Sequence, residues 1–223
     1  MTRLAATIAL FLAAAATGAN ATDRLLIDPA KMPGTAERMD FKGHNTFAVE
    51  HTDAGDVLRS TPNISASGLY QSVDIPGAAL AKVSWRWRVD QLQPHADIRA
   101  LPTEDFGAVV FFIFGEPSLF NRDVPTIAYV WTSTPVANGT VLQSKRFASL
   151  KFIQLRGRGD LGDWRSETRN IAGDFRAIFG SEPPALQKLA VFNDNDDTKE
   201  PASALFAPVW LSLIHISEPT RPY

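Results

Sequence analysis

The alternation in Val83-Ser84-Trp85-Arg86-Trp87-Arg88-Val89 is complete, because every odd-numbered position is apolar and every even-numbered position is polar. A period of two residues is typical of a β-strand that buries one face. The segment therefore predicts a strand with Trp85 and Trp87 in the core. It also predicts that Arg86 and Arg88 lie together on the opposite face.

Similar short apolar segments recur between clusters of Gly, Pro, Asn and Asp, which is the pattern of strands joined by turns. Residues 171–179 have helical periodicity instead, and Gly180 follows them where a helix-ending glycine is common. One short helix is too few for a parallel α/β sheet. We therefore expect a mainly β fold, a two-sheet antiparallel β-sandwich of the jelly-roll type, like galactose-binding and carbohydrate-binding modules. The other predicted strands are residues 46–50, 57–61, 68–75, 107–114, 126–132, 150–156, 164–170, 186–192 and 203–210.

The two ends of the chain differ from its middle. Residues 1–21 combine Arg3, an apolar run and an Ala-Asn-Ala end, which predicts a secretory signal peptide cleaved after Ala21 and a periplasmic or secreted location. The apolar run is shorter than the roughly 20 residues of a spanning helix, so we expect no integral membrane span. Residues 211–223 resemble a translated sequencing adapter, and we interpret them as an artefactual tail. Residues 22–210 are predicted to form a single β-sandwich domain.

Charge and cysteine content exclude several classes of protein. The chain has 22 basic and 24 acidic residues, a formal net charge of −2. This balance gives no electrostatic reason to expect nucleic acid as a partner. Because there is no cysteine, the domain has to be stabilised by its core without disulfides. No feature of the sequence indicates an oligomeric state.

Family-like patterns recur in residues 84–89, in Ala128-Tyr129-Val130-Trp131 and in residues 163–170, and further segments follow them along the chain. Together these segments resemble a bacterial exported family known as domain of unknown function 3047. Two departures from the family pattern are visible: Glu104-Asp105 leads into Phe106-Gly107-Ala108 without the arginine of relatives, and residues 205–210 lack the Tyr-Gly-Asp ending. The resemblance implies an exported β protein, and it implies no catalytic residues. The segments that carry it are residues 84–89, Ala128-Tyr129-Val130-Trp131, residues 163–170, Asp174-Phe175-Arg176, residues 179–184 and Asp194-Asn195-Asp196-Asp197-Thr198.

Charged side chains share one face of the strand predicted over residues 164–170. If this strand neighbours residues 83–89, Glu167 could lie between Arg86 and Arg88 as a fixed carboxylate, of the kind found at functional sites. The alternative is a solvated ladder of ion pairs. Trp164 is the tryptophan best suited to an exposed position, and a position in the core is the alternative. The candidate ligand-binding residues are Arg86, Arg88, Trp164, Arg165, Glu167 and Arg169.

A pair of carboxyl groups is the minimum for glycosidase chemistry, because one has to act as the acid and the other as the base or nucleophile. Asp105 and Glu167 are the candidates for such a pair. The histidines have no spacing typical of a zinc site, and no G-x-S-x-G motif is present, so zinc and serine hydrolases are disfavoured.

Oxygen donors are concentrated in residues 194–198. Asp194, Asp196 and Asp197 are candidate ligands for Ca²⁺, the one cofactor considered, although the segment lacks the glycine and distal glutamate of an EF-hand loop. The alternative is a turn, since Asn and Asp also favour turn conformations. Gly157-Arg158-Gly159-Asp160-Leu161-Gly162 matches a dinucleotide-binding motif in letters, but a strand pattern follows it, so we expect a glycine-rich hairpin.

Three functional hypotheses follow. The leading one is a non-catalytic exported domain that binds a glycan or another envelope polysaccharide, because jelly-roll sandwiches often bind sugars. The second is a glycan-active enzyme that uses Asp105 and Glu167. The third is a structural protein of the cell envelope. An open cleft with a desolvated carboxyl group would favour the enzyme, and an exposed aromatic surface would favour binding.

Overall fold

The computed structural model describes residues 22–116 and 123–213. The predicted signal peptide and residues 214–223 of the predicted tail lie outside this range. Within the two described ranges there are two helices, α1 (Met32–Thr35) and α2 (Ile171–Phe179), with short 3₁₀ turns at Gly77–Ala79, Leu101–Thr103 and Arg158–Asp160. Among the described residues, no helix is both long and apolar enough to cross a membrane.

The described strands form two seven-stranded sheets. The first sheet contains β1 (Thr22–Ile27), β3 (Thr46–Thr52), β4 (Gly55–Thr61), β6 (Val83–Gln91), β11 (Arg165–Arg169), β13 (Ser203–Phe206) and β14 (Val209–Leu213). The second contains β2 (Glu37–Lys42), β5 (Ala66–Ile75), β7 (Ala108–Ile113), β8 (Thr126–Trp131), β9 (Val141–Gln143), β10 (Leu150–Arg156) and β12 (Leu186–Asp194).

In each sheet, neighbouring strands are hydrogen-bonded in one order from edge to edge. In the first sheet it is β1-β14-β6-β13-β4-β3, with β11 on the other side of β6. In the second it is β2-β5-β12-β7-β8-β10-β9. The fold is therefore a β-sandwich of the jelly-roll type, as the sequence predicts. One detail differs from an all-antiparallel sandwich, because β8 and β10 pair in parallel.

The core lies between the two sheets and is rich in aromatic rings. Trp85 and Trp87 of β6 are 3% and 0% exposed, so their predicted position in the core is confirmed. Their rings contact aromatic residues of the opposite sheet: Trp87 packs against Trp131 at 5.7 Å between centroids, and Trp85 against Tyr129 at 5.3 Å. Such ring pairs combine a large buried apolar area with favourable edge-to-face geometry, and they hold the sheets in register.

Helix α2 covers one end of this core, over the residues that the sequence predicts. The side chain of Asn170 accepts a hydrogen bond from the Gly173 N–H at 2.8 Å, which caps the first turn. Gly180 ends the helix with φ of 70°, a left-handed conformation that glycine adopts without steric cost. On the buried side, Phe175 packs against Phe114 at 4.6 Å between ring centroids.

The segment predicted as one strand over residues 203–210 is divided into β13 and β14. Both strands pair with β6, and Ala207 and Pro208 lie between them. Proline has no N–H to donate to a ladder, which explains the interruption. Strand β14 continues to Leu213, so residues 211–213 of the predicted tail pair with β1, and Leu211 is fully buried.

Candidate functional site

A cleft of about 1120 Å³ lies on the outer face of the second sheet. Its floor comes from strands whose side chains are apolar in both directions: in β7, for example, Phe112 points into the sandwich while Phe111 and Ile113 line the cleft. The continuous apolar run over residues 107–114 thus reflects a strand that is covered on both faces. The side chains on the outer face of this sheet form a second apolar cluster, which is separate from the cluster between the two sheets.

Phenylalanine rings dominate the cleft. Phe41 on the edge strand β2 is 61% exposed and contacts Phe192 edge-on at 5.8 Å between centroids, and Phe192 in turn contacts Phe111 at 5.7 Å. In the described part of the chain, no tryptophan or tyrosine lines the cleft. The six phenylalanines that line it are Phe41, Phe106, Phe111, Phe147, Phe152 and Phe192.

An acidic cluster, defined as Glu104, Asp105, Asp194, Asp196 and Asp197, lies beside this apolar surface. Three of its members line the cleft, namely Glu104, Asp194 and Asp196. The other two lie behind them, because Asp105 is fully buried and Asp197 turns toward Arg146. The cleft therefore combines a wide apolar floor with a group of carboxyl groups.

Reciprocal hydrogen bonds fix the acidic cluster. The Phe106 N–H donates to Oδ1 of Asp194 at 2.6 Å. This bond joins the loop before β7 to the segment that begins at Asp194. In return, the carboxylate of Asp105 accepts from the N–H groups of Asp197 at 3.1 Å and Thr198 at 2.7 Å. Residues 194–198 therefore form a turn, as one of the two hypotheses predicts, and that turn is locked to the loop that carries Asp105.

Burial and mutual repulsion change the proton affinities in the cluster. Burial raises the pKa of the Asp194 carboxyl well above its ordinary value, and the charges of Asp105 and Asp196 add to this effect. Burial also raises the pKa of Glu104, although Arg146 opposes the shift. Carboxyl groups that hold their protons this tightly next to a cleft are a frequent feature of binding and catalytic sites.

The structure gives a different set of candidate Ca²⁺ ligands from the one that the sequence predicts. Carboxylate oxygens of Asp105, Asp194 and Asp196 lie within 4.8 Å of one another, a spacing that could hold a cation. Asp197 is not part of this group, because it forms an ion pair with Arg146 at 3.0 Å. Binding of Ca²⁺ stays a prediction.

The structure corrects the environment expected for Glu167. Strand β11 does pair with β6, but Glu167 lies opposite Trp85 on the inner face, and Arg86 lies opposite Ser166. The expectation that Glu167 lies between Arg86 and Arg88 was therefore wrong. Its carboxylate instead accepts hydrogen bonds from Nε1 of Trp87 at 2.9 Å and from Nε of Arg156 at 2.7 Å.

The two arginines beside Glu167 on β11 also have structural partners. Arg165 pairs with Asp160 at 3.0 Å and with Asp163 at 2.9 Å. Arg169 donates to both carboxylate oxygens of Asp174, at 3.0 and 2.7 Å. The inner face of β11 therefore carries a row of partly buried ion pairs whose partners lie outside β6, so it is not the solvated ladder of the alternative hypothesis. Inward-pointing charges of this kind also discourage a further strand from adding to a sheet edge.

Trp164 lies on the outer face of the first sheet and is partly exposed. The guanidinium groups of Arg86 and Arg88 lie 5.3 and 5.4 Å from the centre of its ring, within the range of cation–π contact. Three predicted ligand-binding residues are thus brought together. They are separated from the cleft by the thickness of the sandwich.

The predicted catalytic pair is not brought together. Asp105 belongs to the loop before β7 of the second sheet, and Glu167 belongs to β11 of the first sheet. Both carboxylates are less than 10% exposed and are fully engaged by donors of their own surroundings. Neither therefore presents a free oxygen to a substrate across a shared cleft.

A second cavity, of about 630 Å³, is lined mainly by polar residues at the ends of β8 and β10. Oγ of Ser133 and Oε1 of Gln154 line it, are buried, and have no hydrogen-bond partner among the described residues. His95 and Asp160 also contribute to its walls. Buried polar atoms without partners are rare, so these two atoms indicate a place for a bound polar group or water.

A protein-family model described as "Protein of unknown function (DUF3047)" matches residues 36–210. No curated protein matches the chain significantly.

Comparison with solved structures finds similar folds at low sequence identity. A family 11 carbohydrate-binding module from Clostridium thermocellum, solved with a β-1,3-1,4-mixed-linked tetrasaccharide, has 10% identity and a TM-score of 0.45 over 86% of this chain and 96% of that chain. The glycoside hydrolase domain of Endo-D from Streptococcus pneumoniae R6 has 9% identity and a TM-score of 0.42 over 82% of this chain and 22% of that chain. The xyloglucanase domain of NopAA from Sinorhizobium fredii has 8% identity and a TM-score of 0.42 over 79% of this chain and 92% of that chain.

Proposed function

The chain belongs to the DUF3047 family, and we propose that it is a non-catalytic ligand-binding domain that holds its ligand in the cleft of the second sheet. The observation that carries this proposal is the cleft itself, which is concave and apolar and has a few polar groups at one side. Small-molecule sites in proteins usually combine these properties. The engagement of Asp105 and Glu167 by fixed donors supports binding without catalysis by this pair.

Exposure of Phe41 supports the same proposal. A phenylalanine that is 61% exposed at the mouth of an apolar cleft leaves a large hydrocarbon area in water. A ligand that covers this ring would gain about 25 cal/mol for each Å² of apolar surface removed from water. The ring is therefore suited to contact a ligand, and its removal should affect binding more than folding.

Binding of the neutral fluorescent dye N-phenyl-1-naphthylamine would test the proposal. We expect one dye molecule per chain, with affinity lowered about fivefold or more by Phe41→Ala or Phe147→Ala, because each change removes part of the aromatic wall. Leu161→Ala is the matched control, since Leu161 is 45% exposed and is not a lining residue of the cleft. Failure of the dye to bind, or equal affinity in all variants, would favour a structural role in the envelope instead.

Glycan binding is a second candidate, and the second cavity favours it. Sugar hydroxyls need many hydrogen-bond partners, and Ser133 and Gln154 offer buried atoms that have no partner among the described residues. A glycan array with Gln154→Ala and Trp164→Ala variants would test it. Binding that depends on Gln154 would support this cavity, and binding that depends on Trp164 would support the outer face of the first sheet.

We also propose that the protein is exported to the periplasm or to the medium. Strand β1 begins at Thr22, so removal of residues 1–21 would leave every described strand intact. Mass spectrometry of the protein made in a bacterial host should find Thr22 at the N-terminus of the exported form. Recovery of the uncleaved chain in the cytoplasm would contradict it.

A further inference from the structure

We propose that the cleft binds a cationic amphiphile, with an apolar chain or ring against the phenylalanines and a positively charged head beside Asp194 and Asp196. This inference rests on the proposed function, because it names the ligand class for the same cleft. Two observations carry it: the separation of apolar and acidic surfaces within one cleft, and the excess of carboxyl groups over cationic groups at the acidic side.

The apolar floor selects the body of the ligand. Phe111, Phe152 and Phe192 are each less than 10% exposed, and they offer carbon atoms but no hydrogen-bonding groups to a molecule placed on them. A hydroxyl group placed there would lose its hydrogen bonds to water without replacement, which costs on the order of 1–3 kcal/mol in proteins. A hydrocarbon chain or an aromatic ring has no such cost.

The acidic cluster selects the head of the ligand. Among the described residues, two neighbouring cationic side chains, Lys42 and Arg146, face its five carboxyl groups. Lys42 lies 3.2 Å from Asp196, and Nε of Arg146 lies 3.2 Å from Oε2 of Glu104. Burial raises the pKa of Asp194 and of Glu104, which reduces their negative charge, but the cluster still attracts a positive head and repels a negative one.

Carboxyl oxygens with free lone pairs also favour a positively charged head. Oε2 of Glu104 is buried and forms an ion pair with Nε of Arg146 at 3.2 Å, but the geometry of this contact is not that of a hydrogen bond. Oδ1 of Asp194 accepts one bond, from Phe106, which leaves further lone pairs on this carboxyl group. An ammonium or guanidinium group has several N–H donors and no acceptor, so it matches a cluster that is rich in acceptors.

Three probes with the same ten-carbon chain separate the head from the body. Decylammonium, decanoate and decyl glucoside are titrated separately into the protein below their micelle-forming concentrations, and affinity is measured by calorimetry. We expect decylammonium to bind about tenfold or more tightly than decanoate, with decyl glucoside between them. This preference should shrink as salt is added, because ions screen the head from the carboxylates.

Two variants locate the effect. Asp196→Asn should weaken decylammonium binding about fivefold and leave decyl glucoside unchanged, and Phe41→Ala should weaken all three probes alike. Asp163→Asn is the control for charge, because the Asp163 side chain is 69% exposed and lies outside the cleft. Native-like circular dichroism of each variant confirms that it is folded.

The outcomes distinguish the inference from the proposed function. Equal affinities for the three probes, or tightest binding of decanoate or decyl glucoside, would overturn the cationic head but leave the cleft as the binding site. Absence of binding by every probe would overturn both. Preference for the cation that persists in Asp196→Asn and disappears in Asp163→Asn would place the head elsewhere and also overturn the inference.

Discussion

Glu167 shows how the face of a strand decides the role of a residue. The sequence places Glu167 on a charged face of β11. Hydrogen bonds do hold its carboxylate in place, but the partners are not the expected ones. The register of β11 against β6 turns this face toward the interior, where the carboxylate meets Arg156 and the indole of Trp87. Alternation along a strand gives two faces, but it does not tell which of them faces the core when both carry few apolar residues.

Replacement of Glu167 by glutamine should therefore affect stability. Glutamine keeps an acceptor for the Trp87 indole but loses the charge that pairs with Arg156, so we expect the free energy of unfolding to fall by ~1–3 kcal/mol. Urea denaturation would measure the change. Glu182→Gln is the control, because Glu182 pairs with Arg176 and its side chain is 75% exposed. A loss for Glu167→Gln no larger than that of the control would contradict this role.

At the scale of elements, the predicted strands with strong alternation or long apolar runs are confirmed within a few residues, as for β6 and β7. The missed strands are β1, β2 and β9, which lie at or near sheet edges. An edge strand such as β2 is mostly exposed, so its formation depends on pairing with β5 rather than on its own apolar pattern. That pairing is a long-range contact, which local sequence does not encode.

The pair of β3 and β4 offers a prediction about pH. Hydrogen bonds from Arg59 lower the pKa of Glu50 below its ordinary value, so the carboxylate stabilises the folded state at neutral pH. The contribution is present above the ordinary pKa and is lost as pH falls through the lowered one. Because the Glu50 side chain is 37% exposed, solvent screening limits the effect to ~0.5 kcal/mol.

The measurement is urea unfolding of wild type and Glu50→Gln at several pH values. We expect the variant to be less stable at pH 7 and the difference to shrink as pH falls through the lowered pKa of Glu50, where the wild-type carboxylate becomes protonated. A difference that stays constant down to low pH would mean that the ion pair with Arg59 does not contribute.

At the scale of the whole molecule, the fold follows from the sequence more directly than the site does. Trp85 and Trp87 alternate with arginines, which indicates a strand with one buried face, and the recurrence of such short strands with only one helix indicates the sandwich. The cleft instead collects Phe41 from β2, Phe147 from a loop and Phe192 from β12, which are far apart in the chain. One signal was present, since the apolar run over residues 107–114 implies a second covered face.

Only part of the acidic cluster was predicted, because its members come from two segments that are far apart in the chain. Asp194, Asp196 and Asp197 are adjacent in the sequence, and their accumulation of oxygen atoms was recognisable. Asp105 joins them only through the hydrogen bonds between its loop and the turn. Contacts between distant loops depend on the packing of both sheets, so local pattern could not supply this residue.

The central claim, that the cleft of the second sheet is the ligand-binding site, is tested most directly by nuclear magnetic resonance. Amide chemical shifts would be followed during titration of the protein with decylammonium. We predict that the largest changes map to strands β7 and β12 and to residues 104–106, which surround the phenylalanines and the acidic cluster. Changes confined to residues 133–138 and 157–160 around the second cavity, or to Trp164 and its arginines, would contradict the claim.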